Sequence, residues 1–241
     1  LVSLFLDNTS YDGPDVNEEF DPKLLRDIVV NFLIAGRDTT SQGLSWFLYN
    51  VSQHPDVEKK LREELTRELP ELMSGDIESP SMEQSQQLVY MEAALRESLR
   101  LHPPVPGNLK QATKDVVLSD GTFVKAGWSV SVAPYTLARA KGVWGPDARE
   151  YKPERWIDPE TGKITPVSAF KYATFNAGPR ACLGMNLAMM EIKIVVASLL
   201  SKFRLELAPN QKITYDFSLS LPVKGALMMN ILPVDENEKA L

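Results

Sequence analysis

The sequence predicts a mainly α-helical fold with small antiparallel β elements. Three observations carry this expectation. Three long segments place apolar residues at helical spacing, a central stretch switches to short alternating pieces between glycine turns, and no internal repeat or low-complexity run interrupts the order.

The first helix is expected from about Pro22, with Asp21 as its cap and the proline in a tolerated first-turn position. Its apolar residues Ile28, Phe32, Leu33 and Ala35 recur at helical spacing. Polar GRDTT then interrupts the helix before Leu44, Trp46, Phe47 and Leu48 resume it, and His54 and Pro55 mark its end. A helix apolar on both sides of one polar turn is expected to be central and buried. DVEKKLREELTRELPELM follows as a helix with an exposed, alternately charged face, and SGDIESPS is a polar loop. LVYMEAALRESLRLHPP is another helix, stopped by Pro103 and Pro104.

DVVLSDGTFVKAGWSVSVAPY then reads as an antiparallel ribbon with turns at SDG and AGW. WGPDAREYKPERWIDPETGK is a long ordered loop, and Trp128, Trp144 and Trp156 are expected in core or loop packing. LGMNLAMMEIKIVVASLLSKFRLEL is a long helix running into a strand. KITYDFSLSLPV and GALMMNIL close the chain as two more strand-like pieces.

Bulk properties narrow the function. The chain has 241 residues, enough for a substantial core, and a net charge of -6 from 26 basic and 32 acidic residues, which gives no reason to expect a nucleic acid partner. One cysteine excludes an internal disulfide and any multi-cysteine metal site. The longest apolar runs fall short of the ~20 residues that cross a bilayer. The opening LVSLFLDNTSYDG has no initiating Met and no signal-peptide pattern, so the chain is expected to begin partway through a gene product.

The lone cysteine stands in FNAGPRACLG. As a small buried hydrophobe, Cys182 would need no special setting. Its setting is special: Gly178 and Gly184 allow a tight backbone path or close approach by a flat ligand, Arg180 adds positive charge, and the loop leads into a helix N-terminus, which favours a thiolate. The two histidines, His54 and His102, each sit beside a proline at a helix end and lack the spacing of a Cys-His catalytic pair. One sulfur ligand without clustered histidines suits haem better than zinc.

Two further patterns stand out. Gly36 in AGRDTT costs ~1 kcal/mol in a helix interior relative to Ala, while Asp38 and Thr39 are compatible with structural polar groups, the threonine bonding back to a carbonyl four residues earlier. Glu97 and Arg100 in ESLR share a helix face.

FNAGPRACLG resembles the haem-binding signature of the cytochrome P450 family, Phe-x-x-Gly-x-Arg-x-Cys-x-Gly. AGRDTT, ESLR and PERW are similar to the other elements of that family, in family order. The resemblance implies a P450 fold, and covers its carboxyl-terminal half from about residue 20, so that residues 1–241 form part of one monooxygenase domain without its amino-terminal half and without a wall over Cys182.

It implies haem b (iron protoporphyrin IX) held by Cys182 as proximal thiolate, Phe175 packed against the ligand loop, and Arg180 on a propionate. Lys110 stands where related sequences commonly carry an arginine for the same purpose. Thr39 and Asp38 would serve oxygen activation and proton delivery, Gly36 would allow local widening, Arg37 receives no role and Thr40 lies behind Thr39. Glu97, Arg100 and Arg155 would form a buried network. Substrate contacts would come from Phe32, Ala35, Val105, Leu219 and Leu221, all apolar.

FLIAGRDTTSQGLSW and WGPDAREYKPERW are similar to the long-chain fatty-acid and alkane hydroxylase branch. The implied reaction is terminal or near-terminal hydroxylation using dioxygen and an NADPH-cytochrome P450 reductase. The parent protein would lie at the cytosolic face of the endoplasmic reticulum membrane, anchored by its amino-terminal region, and the isolated chain would have weak or absent activity. A non-catalytic haem-binding domain is the alternative in another class, followed by a purely structural helical domain.

Overall fold

The computed structural model describes residues 22–216 and 218–234; the expected cap Asp21 lies outside them. Helix α1 spans Pro22–Ser52, α2 Pro55–Glu68, α3 Pro70–Ser74, α4 Met82–Gln86, α5 Val89–Leu101, α6 Pro134–Leu137, α7 Lys141–Trp144 and α8 Met185–Leu200. The strands are β1 Asn108–Gln111, β2 Val116–Val117, β3 Phe123–Val124, β4 Ser129–Val132, β5 Phe203–Leu207 and β6 Met229–Pro233. The mainly helical expectation stands.

The polar turn does not interrupt α1, which runs unbroken through residues 36–40. The hydroxyls of Thr39, Ser41 and Ser45 donate back to the carbonyls of Ala35 at 2.7 Å, Asp38 at 3.0 Å and Ser41 at 2.8 Å, so the polar side chains are satisfied inside the helix. Burial is a second correction. Only the carboxyl-terminal part of α1 enters the core, from Gly43 onward, whereas Leu33 and Ile34 are 66% and 67% exposed. Gly43 marks the closest crossing. A Cβ there would stand 3.1 Å from Leu99 Cδ2 and 3.2 Å from Ile192 Cδ1, so a larger residue would push these two side chains of α5 and α8 aside by a few tenths of an ångström.

The charged segment after Pro55 is two helices, since Pro70 cannot continue the hydrogen-bond ladder of α2 and starts α3 instead. Its charged face is not wholly solvated. Glu64 is buried, and its carboxylate accepts from the backbone N–H groups of Tyr90 at 2.6 Å and Met91 at 2.9 Å, closing the open amino end of α5. The other end of α5 stops at Pro103 and Pro104, as expected.

The ribbon divides into two small antiparallel pairs, β2 with β3 and β1 with β4, the latter in register from Asn108 opposite Val132 to Gln111 opposite Ser129. β1 carried no strand signal in the sequence. β5 pairs with β6, but the described residues of KITYDFSLSLPV make only the bridge between Tyr215 and Val223; Pro222 lacks an amide donor, and the Ser218 hydroxyl bonds the local backbone instead.

The main core joins α1, α2, α3, α5 and α8 around residues such as Phe47, Leu61, Leu95 and Val196. A smaller core gathers Ala93, Trp144, Ala148 and Trp156 under the long loop. Trp128 does not join either: it is 55% exposed at the edge of the ribbon, where its backbone and not its ring holds the turn. Among the described residues no helix is long and apolar enough to cross a membrane.

Candidate haem-ligand loop and its support

The loop before α8 is built from two 3-10 turns, Ala173–Phe175 and Gly178–Arg180, joined through two residues of positive φ. Gly178 has φ 67°, where a glycine carries no steric cost, whereas Asn176 has φ 63° with ψ -175°, a region strained for any residue with a side chain. Its own amide holds it there. Asn176 Nδ2 donates to the Arg180 carbonyl at 3.0 Å, and Asn176 Oδ1 accepts from the Ala177 N–H at 3.0 Å.

Cys182 follows with its N–H donating to the Phe175 carbonyl at 2.8 Å. The thiol is exposed, which overturns the reading of a small buried hydrophobe. Gly184, the residue that caps α8, has an ordinary φ of -87°; a Cβ there would meet Cys182 Sγ at 4.0 Å, normal contact, so neither conformation nor packing demands glycine. Phe175 packs partly buried against the main core and edge-on to Tyr172. Arg180 and Lys110 are both exposed, the latter on β1 opposite Val130.

Beside the thiol runs a half-open groove of about 810 Å³ lined by Phe175, Cys182, Met185 and Met189. Its polar part is a charged trio: Glu92 accepts from Arg96 at 2.8 Å and contacts Lys193 at 3.1 Å, with Lys193 itself buried.

The expected network around Glu97 is present and more extensive than the three residues named. Glu97 Oε2 accepts from Arg100 Nε at 2.7 Å and from the Trp156 indole N–H at 2.9 Å. Oε1 accepts from the other Arg100 nitrogen at 2.8 Å, from Arg155 Nε at 2.8 Å and from the Lys152 backbone N–H at 3.0 Å. Arg100 also bonds the Ala138 carbonyl and, at 2.7 Å, that of Ala148. The Glu97 and Arg100 side chains are 0% exposed. At such burial, removal of one partner costs about 3–5 kcal/mol because the remaining charge stays desolvated.

On α1, Asp38 forms an exposed ion pair with Arg37, 2.7 Å at its closest, and that hydrogen bond holds the Asp38 carboxyl below its ordinary range. Arg37, which received no role, is therefore the partner of Asp38. Gly36 faces open space, so packing does not require it. Phe32, Ala35, Val105 and Leu219 are exposed, the last at 92%. Leu221 is the exception. At 2% exposure it is packed inside, its carbonyl accepting from the Trp46 indole at 2.7 Å and its N–H donating to the Pro104 carbonyl at 2.9 Å, so its side chain presents no open surface to a ligand.

Three contributors escaped sequence reasoning. Trp156 follows PER directly and so was within reach as a donor to the network. Asn176 was legible only as a residue type that tolerates positive φ, and nothing marked Glu64 among the many carboxylates of its segment.

Fold and loop together define a mainly helical protein that presents one cysteine sulfur at the entry of a long helix, backed by a buried carboxylate-guanidinium network. The cytochrome P450 profile matches residues 1–230, and the chain belongs to that family. It is 42% identical over 88% of its length to cytochrome P450 94C1 of Arabidopsis thaliana, covering 43% of that protein. It is 40% identical over 76% of its length to cytochrome P450 94A2 of Vicia sativa, covering 35%, and 37% identical over 87% to alkane hydroxylase MAH1 of Arabidopsis thaliana, covering 40%. The chain thus spans less than half the length of these curated relatives.

The family implies a haem-thiolate iron cofactor, and the residues fit one. Among the described residues no cluster of three histidine, cysteine or acidic side chains could hold a metal ion, while the one sulfur is accessible. It is flanked by exposed apolar side chains, Leu183 at 94%, Met185 at 40% and Leu187 at 44%, the surface a flat apolar macrocycle would cover.

Proposed function

We propose that this chain supplies the iron ligand and the oxygen-side helix of a monooxygenase that inserts one oxygen atom into a C–H bond of an apolar substrate. The observation that carries the reading is the exposed Cys182, fixed by the Phe175 carbonyl on a loop that is itself closed by Asn176. Haem b, when bound, supplies the redox chemistry: dioxygen, two electrons and two protons convert R–H to R–OH and water.

The chain's own residues have distinct parts. Cys182 donates electron density through sulfur, Phe175 fixes the loop beneath it, and Arg180 and Lys110 offer cations to the propionates. The Thr39 hydroxyl hydrogen is committed to the Ala35 carbonyl, so its oxygen is free to accept a hydrogen bond. Asp38 is exposed and paired with Arg37, whose hydrogen bond favours its carboxylate form, within reach of solvent protons. Phe32, Ala35, Val105 and Leu219 present apolar surface for an oily substrate, held by area burial.

The substrate is a long-chain fatty acid or alkane oxidised at or near its end, a reading supported by the printed name of one relative, an alkane hydroxylase. Electrons come from NADPH through a cytochrome P450 reductase. The whole protein works at the cytosolic face of the endoplasmic reticulum membrane, and the chain alone turns over weakly or not at all.

The test is the absorption spectrum of the chain supplied with haem, reduced with dithionite under carbon monoxide, beside Cys182→Ser. The expected result is a red-shifted Soret band of thiolate ligation that the variant loses. A band that persists in the variant removes Cys182 from the iron. In the whole protein with reductase, a terminally hydroxylated long-chain product is expected, and its absence with that substrate class overturns the substrate assignment.

A further inference from the structure

An aromatic chain connects the buried Glu97 network to the cysteine loop. Trp156, 0% exposed, donates its indole N–H to Glu97 Oε2 at 2.9 Å. Its ring meets Tyr172 edge to face at 4.8 Å between centroids, with the planes at 68°. Tyr172 in turn meets Phe175 at 6.3 Å and 75°. Phe175 ends the chain with its carbonyl accepting the Cys182 N–H at 2.8 Å. Both ring pairs have the centroid separation and tilt in which the positive edge of one ring faces the negative face of the other.

Tyr172 holds a singular place in this chain. Its ring packs against the main core and also against the smaller core around Trp144 and Trp156. Its buried hydroxyl oxygen makes no hydrogen bond of good geometry, although the Thr174 side chain lies close enough to interact with it, so the two ring contacts are the larger part of its hold on the loop. A second tether runs parallel to the rings: Thr174 Oγ1 donates to the Leu99 carbonyl at 3.1 Å, one residue before Arg100. The turn that ends at Phe175 is therefore anchored to α5 from two sides, and both anchors lead to the neighbourhood of Glu97.

We infer that Tyr172 is a positioning residue for Cys182: its ring transmits the rigidity of the Glu97 network through Phe175 to the cysteine amide and so sets where the sulfur sits. The consequence for iron ligation rests on the reading of Cys182 as the haem ligand, but the mechanical coupling does not. The alternative is that Tyr172 merely fills volume between two cores.

The experiment compares Tyr172→Phe with Tyr172→Met in the full chain by amide hydrogen exchange. Methionine fills a similar volume without a ring edge or face. In Tyr172→Phe the protection of the Cys182 amide is expected to stay within about twofold of the parent, since both ring contacts are kept. In Tyr172→Met it is expected to fall more than about tenfold, the equivalent of the loss of one ring contact of about 1.4 kcal/mol, while the amides of residues 93–101 keep theirs. Unchanged Cys182 protection in the methionine variant overturns the inference, and so does an equal loss across residues 93–101, which would mark Tyr172 as general packing.

Should the methionine variant fail to fold, Trp156→Phe carries the test. It keeps a ring against Tyr172 but removes the donor to Glu97, and a selective loss at Cys182 is again expected, with an unchanged amide refuting the coupling. Haem added to the same samples separates the two readings. A Soret band of thiolate type that weakens in Tyr172→Met and returns in Tyr172→Phe links the coupling to ligation; a band of equal strength in both variants severs that link while leaving the exchange result to decide the coupling.

Discussion

Replacing Glu97 with glutamine keeps the side chain's size and removes its charge, which isolates what the buried carboxylate does. Oε1 faces Arg100, Arg155 and the Lys152 N–H, and Oε2 faces Arg100 and Trp156. Whichever way the new amide turns, its NH2 group meets donors where an acceptor stood. The Arg100 guanidinium, 0% exposed, then loses its only anionic contact among the described residues and keeps carbonyls alone. An uncompensated buried charge of this kind costs about 3–5 kcal/mol. For a chain of this size each kcal/mol moves the melting midpoint by about 2–4 °C, so the expected fall is about 6–20 °C. Urea unfolding followed by far-UV circular dichroism gives the free energy directly, with Arg37→Ala as a control expected to leave the midpoint in place because that pair is exposed. A loss below about 1 kcal/mol for Glu97→Gln, the range of surface ion pairs, would refute the view that this network holds the long loop to α5.

Further outcomes follow from other sites. His102 is stacked on Trp46 at 4.2 Å, and burial, with help from Arg139 and Arg100, lowers its pKa to about 3. A depressed base stays neutral in the fold while the unfolded chain protonates, so stability is full above pH ~6.5 and falls by up to about 1.4 kcal/mol per pH unit from there toward pH 3; urea midpoints between pH 7 and 4 should show a flatter slope in His102→Gln. Glu64→Ala should lower stability by about 1–3 kcal/mol by leaving the Tyr90 and Met91 amides without their acceptor, read by the same unfolding curves. Asn176→Ala should destabilise more than Asn176→Gly, since both lose the amide bonds to Arg180 and Ala177 but only glycine relieves the strained backbone, worth about 1–3 kcal/mol; paired thermal melts decide it. Thr39→Ala should leave the melting midpoint nearly unchanged, because its hydroxyl bond is an exposed return to its own helix, and in the whole protein with reductase it should release peroxide.

What the sequence made legible was whatever local rules govern. Proline ended helices at Ser52 and Leu101, glycine placed the turns at Gly121 and Gly127, and the spacing of Glu97 and Arg100 put both on one helix face. Part of the cysteine loop was legible for a local reason, since the positive φ at Gly178 is one that glycine adopts without steric cost. Tertiary partnership was not legible. Whether Leu33 or Leu221 is buried depends on what lies across from it, and the two apolar residues came out on opposite sides of that question. The polar turn of α1 was legible in part: the return of the Thr39 hydroxyl to the carbonyl four residues earlier was within reach of the sequence, whereas the helix running unbroken through it was not.

The placement of the strongest interactions explains how an exposed thiol can still be held to one position. Cys182 has open surface at its sulfur but a fixed amide, and the fixity comes from the inner side, through the Phe175 carbonyl and the Thr174 bond to Leu99 on α5. The same stretch of α5 carries Glu97 and Arg100. A ligand atom that must be reachable cannot be held by neighbours on its open face, so its precision has to be supplied from behind, by groups whose own positions are over-determined. The Glu97 network meets that requirement. It is buried, satisfied on both oxygens, and distant enough in sequence from the loop that its residues gave no hint, read alone, of serving the cysteine.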